Sequence, residues 1–171
     1  GSPEGSAFAA KHSDIVFITS PTGNQMSHAV EGLPPHTAKI RAAAAEAGRR
    51  VRTIINPMVV CRPTEKEAIE YRDAILDAAD VGAVDGFAAI SRGGDAVAWR
   101  DMVREHRALG GNLHVVGSPE QIVDHFISLQ KAGCDGVQLT FYDFAPDLDY
   151  FGEAVLPLMQ QAGLRVSLYA P

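Results

Sequence analysis

A parallel β-sheet covered by helices, the α/β class, is what this 171-residue sequence predicts. Three observations carry that prediction. The strand-like segments are continuous apolar runs that do not alternate with polar residues, the pattern of strands buried on both faces. Each run is separated from the next by helical stretches, as crossovers between parallel strands require. The composition, 46% hydrophobic and 21% charged, is that of a globular domain with a core to bury.

The elements follow in order. Gly1-Ser2-Pro3-Glu4-Gly5 leads into a short helical stretch at 6–12 and the run Ile15-Val16-Phe17-Ile18, closed by the turn string Thr19-Ser20-Pro21-Thr22-Gly23. A long polar loop then reaches an alanine-rich helix over 36–47, ended by Gly48. A second strand is predicted over 51–60. Thr64 and Glu67 have capping-box spacing at the start of a helix reaching about residue 80. Residues 81–112 read as an excursion that holds the string Ser91-Arg92-Gly93-Gly94 and an amphipathic helix over 96–109. His114-Val115-Val116-Gly117 leads into Ser118-Pro119-Glu120-Gln121, a second capping box with proline at the first helical position. That helix ends at Gly133. A third strand over 136–141, a final helix over 147–162 stopped by Gly163 and a tail complete the chain.

Several function classes are excluded at this level. The net charge of −6 comes without a basic run, so neither nucleic acid nor an anionic membrane is an expected partner. Cys61 and Cys134 lack Cys-x-x-Cys spacing and read as reduced core thiols. No stretch approaches the roughly 20 apolar residues of a membrane helix, and no leader opens the chain, so the expectation is a cytoplasmic protein. His12, His28, His36, His106, His114 and His125 show no ligand spacing, so no metal site is expected. The acidic residues at 67, 70, 73 and 77 recur at helical spacing as a solvent face.

Three strands are few for either parallel architecture, the open doubly wound sheet or the closed barrel, and periodicity does not separate the two. A whole barrel takes about 250 residues.

The string from Ser2 to Phe17, with its Ser-x-x-Gly turn, alanine-rich helix, Ser13-Asp14 and apolar strand, resembles the phosphate loop and following strand of the bacterial-luciferase-like flavin monooxygenases. Val116-Gly117-Ser118-Pro119-Glu120-Gln121, Gly133-x-Asp135-Gly136, Leu139-Thr140-Phe141-Tyr142-Asp143-Phe144 and the stretch from Phe151 to Met159 resemble that family in the same order. The nearest branch holds the pyrimidine, dimethylsulfone and alkanesulfonate monooxygenases. The resemblance implies the C-terminal half of a (β/α)8 TIM barrel, about strands 6–8 with surrounding helices. One partial-barrel domain then spans 1–171, with a mobile lid in the 81–112 excursion. Completion by another chain, a dimer mate or an N-terminal half is expected, because open strand edges and an unfilled interior would otherwise face water.

The chemistry implied is oxygen insertion by reduced flavin mononucleotide (FMNH2), delivered by a separate flavin reductase, into a small heterocyclic or sulfur-containing substrate. A deazaflavin (F420)-dependent oxidoreductase is the sister chemistry, and a non-catalytic half-barrel used for assembly is the rival class. A Ser-x-x-Gly turn suits a phosphate because the first N–H groups of a helix lack intrahelical partners. Ser2, Gly5 and Ser6 are the cofactor-binding candidates that the resemblance implies, whereas on the residues alone the string reads as an ordinary N-cap. Barrel sites lie at the C-terminal ends of the strands, which puts Thr19, Ser20, Phe141 and Asp143 at the expected substrate pocket and Arg92 on the lid. No catalytic residue is expected to stand out, because the flavin itself carries the oxygen chemistry.

Overall fold

In the computed structural model, which describes residues 3–91, 108–110 and 112–165, every strand pairing among the described residues is parallel. The order is α1 (Pro3–His12), β1 (Ile15–Ile18), α2 (Met26–Glu46), β2 (Arg52–Ile55), β3 (Pro57–Cys61), α3 (Glu65–Asp77) and α4 (Val81–Ser91). It continues with β4 (Leu113–Gly117), α5 (Pro119–Lys131), β5 (Gly136–Val137), β6 (Thr140–Phe141), α6 (Phe144–Tyr150), a π-helical turn (Phe151–Val155) and α7 (Leu156–Gln161). The expected helix over 96–109, the Arg92 loop, most of the tail and Ser2 lie outside the described residues.

The strands form two three-stranded sheets, β1-β2-β5 and β4-β3-β6. Only Asn56 separates β2 from β3, so the expected strand over 51–60 is one path that changes neighbours halfway. Below Asn56 it pairs with β1, Ile15 opposite Arg52; above it, with β4, Cys61 opposite Gly117. Asn56 marks the switch: its carbonyl accepts the Leu113 N–H at 3.2 Å, and its side-chain amide bonds Asn112. The expected strand over 136–141 is likewise two short pieces, β5 beside β2 and β6 beside β3.

The structure corrects three sequence expectations. Residues 113–117 form a strand rather than a lead-in, with Leu113, Val115 and Gly117 buried and the intervening residues half-buried. Helix α2 begins ten residues before the predicted start at 36, despite Pro34 and Pro35. Interior prolines cost about 3 kcal/mol or more each because they remove a donor and crowd the preceding turn. Burial offsets that cost here: Ala29, Leu33, Thr37, Ile40 and Ala44 make one continuous face. The last helix also starts early, at Phe144, and widens into a π turn just before Pro157. Proline at 157 cannot donate to residue 153, and a wider turn relieves the clash of its ring with that carbonyl.

Other local expectations hold. Both capping boxes are present, with Glu67 N–H donating to Thr64 Oγ1 at 3.2 Å and Ser118 N–H to Gln121 Oε1 at 2.9 Å. Gly48 and Gly133 stop their helices at φ of 69° and 96°, a backbone state that costs glycine nothing. Cys61 and Cys134 are free and buried. The core runs through both sheets, with Ile55, Val59, Val115, Ile122, Leu129 and Phe151 at most 2% exposed.

An acid brace fixes the start of β5. The Asp135 carboxylate accepts the Thr53 N–H at 2.8 Å and the Arg41 guanidinium at 2.9 Å, tying α2, β2 and β5 together. Burial pushes the Asp135 carboxyl up, but the Thr53 and Arg41 donors outweigh it and hold the group below its ordinary value of 3.8. A carboxylate depressed in the folded state contributes stability above its unfolded pKa and loses it as pH falls through the folded one. Urea unfolding of Asp135→Asn should therefore show a flatter pH dependence below pH 3.8 than the parent. Parallel curves would remove Asp135 from the acid response.

Two strand edges are open. Among the described residues β1 pairs only with β2, and β5 and β6 pair on one side each. On β1, Val16 and Ile18 are buried, whereas Ile15 and Phe17 are 46% and 49% exposed.

Candidate functional site

The parallel strands all end on one side, at Thr19, Arg62, Ser118 and Tyr142. A groove of about 640 Å³ follows the open edge of β1 towards that end. It is lined by Gly5 and Ser6 from the first turns of α1, Phe17 and Thr19 from β1 and its exit, and His36 and Lys39 from α2. Helix α1 opens at Pro3, so the positive end of its dipole lies at Gly5 and Ser6. Glu4, exposed in the same turn, is the opposing charge. Burial, with Lys39 beside it, lowers the His36 pKa, which keeps the imidazole neutral at pH 7 and leaves Lys39 as the cation among the residues lining this groove.

A second groove, of about 230 Å³, lies at the opposite open edge, beside β5. Phe126 and Leu129 of α5, Cys134, Val137 of β5, Met159 of α7 and Leu164 line it. Each groove thus runs along a strand whose outer edge is open among the described residues.

The predicted site residues fall in different places. Gly5, Ser6 and Thr19 share the larger groove. Ser20 is 6% exposed, and its hydroxyl has no hydrogen-bond partner among the described residues. Phe141 is buried in an edge-on aromatic stack, its ring centroid 5.9 Å from Phe144 and 5.6 Å from Phe151. Tyr142, Asp143 and Phe144 are the exposed residues of that segment. Ser2 and Arg92 lie outside the described residues.

Sequence reasoning missed the cluster at the end of β3. Arg62 Nη1 donates to Asp147 Oδ1 at 2.9 Å and to the Cys61 carbonyl at 2.7 Å, and the guanidinium carbon sits 3.6 Å from the Tyr71 ring centroid. Arg62 and Asp147 are 85 residues apart in the chain, and no local pattern links them. The neighbouring thiol is not a nucleophile: burial pushes Cys61 up to about 12, and Cys134 up to about 11. Among the described residues, no three His, Cys, Asp or Glu side chains gather as a metal site, and no helix is long and apolar enough to cross a membrane.

Fold and groove define an α/β protein whose parallel strands end beside a helix N-terminus. A family model described as luciferase-like monooxygenase matches residues 1–136, and the chain belongs to that family. The FMNH(2)-dependent dimethylsulfone monooxygenase of Pseudomonas fluorescens (strain Pf0-1) is 33% identical over 164 residues, covering 90% of this chain and 43% of that protein. Pyrimidine monooxygenase RutA of Allorhizobium ampelinum is 29% identical over 168 residues, covering 93% of this chain and 45% of that protein. The crystal structure of DmoA from Hyphomicrobium sulfonivorans has the same fold, with a TM-score of 0.81 at 20% identity over all of this chain and 42% of that one. The chain spans less than half the length of the curated relatives it matches.

Proposed function

We propose that this chain is the C-terminal part of an FMNH2-dependent monooxygenase that acts on a small heterocyclic or sulfur-containing molecule. The observation that carries the reading is the groove at β1, where Gly5, Ser6, Thr19 and Lys39 meet beside the N-terminus of α1. These residues fit a flavin phosphate. The positive end of a helix dipole, two hydroxyls and an ammonium suit phosphate oxygens, and Gly5 allows close backbone approach. Ser2 completes this set in the reading. FMNH2 is preferred to a deazaflavin because the dimethylsulfone relative is named for it.

The architecture in this reading is a partial barrel with β1 as the sixth strand, β2 and β3 as the seventh, and β5 and β6 as the eighth. Neighbouring strands of an N-terminal half, a partner chain or a second copy would pair with the open edges of β1 and of β5 and β6. Bound FMNH2 supplies the electrons that activate molecular oxygen for insertion into the substrate. The residues of this chain bind, orient and exclude water: Ser6 and Lys39 hold the phosphate, and Thr19, Ser20, Tyr142 and Asp143 border the substrate side. No general base is required of the protein in this scheme. A flavin reductase is the source of the reduced cofactor.

Anaerobic titration with FMNH2 tests this. Ser6→Asp places a second carboxylate beside Glu4 and should weaken binding at least about tenfold, by repulsion and by reversal of the favourable helix-end charge. Removing the Lys39 charge should weaken it less. No FMNH2 binding by any protein containing this chain together with a complete barrel would sink the reading, and tighter binding of a deazaflavin would move it to the sister chemistry.

A further inference from the structure

The cluster at the end of β3 has a geometry that its contribution to stability does not explain. Asp147 is 6% exposed on the first turn of α6, and its two oxygens face different elements. Oδ1 takes the Arg62 guanidinium at 2.9 Å, and Oδ2 takes the Asp143 backbone N–H at 3.3 Å. Arg62 is itself fixed on three sides, by the Cys61 carbonyl, by the Tyr71 ring of α3 and by Asp147. One carboxylate therefore joins the end of β3 to the N-cap residue of α6.

Between those anchors runs the segment 141–144. Its root, Phe141, is locked in the core by pairing with Val59 and by the aromatic stack. Its tip, Tyr142, Asp143 and Phe144, is exposed at the C-terminal ends of the strands. The N-cap Asp143 makes no side-chain cap of its own, so Asp147 takes over the task of holding this backbone.

We infer that Arg62 and Asp147 are a positioning pair that fixes the 141–144 segment as one wall of the substrate mouth. This rests on the monooxygenase reading only in placing the reaction at that end of the strands. Lysine at 62 keeps a charge for Asp147 but loses the planar stack on Tyr71.

Nitroxide labels on the full chain test the inference, one at Tyr142→Cys and one at Lys131→Cys, exposed on α5, as a remote control. Cys61 and Cys134 are buried and hold their protons, so the added surface thiol reacts first. Asp147→Asn and Arg62→Met should each raise the mobility of the label at 142 roughly fivefold, the factor expected when one hydrogen-bonded tether is lost. The label at 131 should not change, and Arg62→Lys should restore part of the order. The double variant Arg62→Met with Asp147→Leu leaves no charge buried alone. It should melt near the parent and keep the mobile label, which separates position from stability. Unchanged mobility at 142 in folded variants overturns the inference, as does a rise at both labels together. Quenching of flavin fluorescence by a protein that holds this chain within a complete barrel reads FMN binding separately: its absence there counts against the monooxygenase reading, while the labels decide the pair by themselves.

Discussion

Phe151→Ala should lose about 4 kcal/mol of unfolding free energy, the cost typical of truncating a fully buried aromatic. Phe151 is 1% exposed and opens the π turn of the last helix. Its ring lies 6.3 Å from Phe126 of α5 and 5.6 Å from Phe141 of β6, so α5, β6 and the π turn share one aromatic cluster. Alanine there removes the transferred surface, leaves a void that close-packed neighbours fill only in part, and breaks two ring pairs worth about 0.5–1.5 kcal/mol each beyond burial. Leucine keeps most of the volume and should cost roughly half as much. Urea denaturation followed by circular dichroism measures both. A loss below about 1 kcal/mol for the alanine variant would mean that the site collapses and that the stack is not a structural centre.

The 171-residue chain by itself should bind a hydrophobic dye such as anilinonaphthalene sulfonate, and an N-terminal half-barrel from a family member supplied in trans should abolish that binding. Ile15 and Phe17 are about half exposed on a strand whose outer edge is unpaired among the described residues, and the groove beside it is open. Covering the exposed half of two large side chains contributes about 2 to 3 kcal/mol. For a chain of this size that raises the melting temperature by about 10 °C, before any gain from pairing the edge. Differential scanning fluorimetry and dye titration read the two effects. A chain that binds no dye alone, or whose melting temperature ignores the added half, would contradict the partial-barrel proposal.

Much of the fold was legible because its signals are local. The capping boxes at Thr64 and Ser118 involve residues three apart, and each is present with both hydrogen bonds. Apolar runs at 15–18 and 51–60 are long enough to mark buried strands without knowledge of their neighbours. What was not legible depends on contacts between distant residues. Pro34 and Pro35 argue locally against a helix, and only the buried face from Ala29 to Ala44 overrules them. Residues 113–117, an apolar run interrupted by His114, read as a strand only once β3 lies beside them. Asn56 looks like any residue within its strand; its meaning comes from a change of neighbour.

The same division runs through the site. Gly5, Ser6 and Thr19 were found by their place around a helix start and a strand end, and they line one groove. Phe141 was expected at the pocket because of its position at a strand end, yet its ring faces the core, as alternate residues of a strand do. Arg62 follows β3, Tyr71 lies on α3 and Asp147 on α6, and in the sequence the two charged residues look like solvated surface.

The change of neighbour at Asn56 has a geometric consequence. Below it, the wall is counted β1, β2, β5; above it, β4 is wedged between β3 and the chain leaving β1, where Gln25 bridges His114. The wall therefore has one more member at its upper rim than at its base. Each member occupies about 4.8 Å of perimeter. A closed tube built on this chain flares by roughly 1.5 Å in diameter towards the strands' C-terminal ends, a taper set by where one asparagine ends one partnership and begins the next.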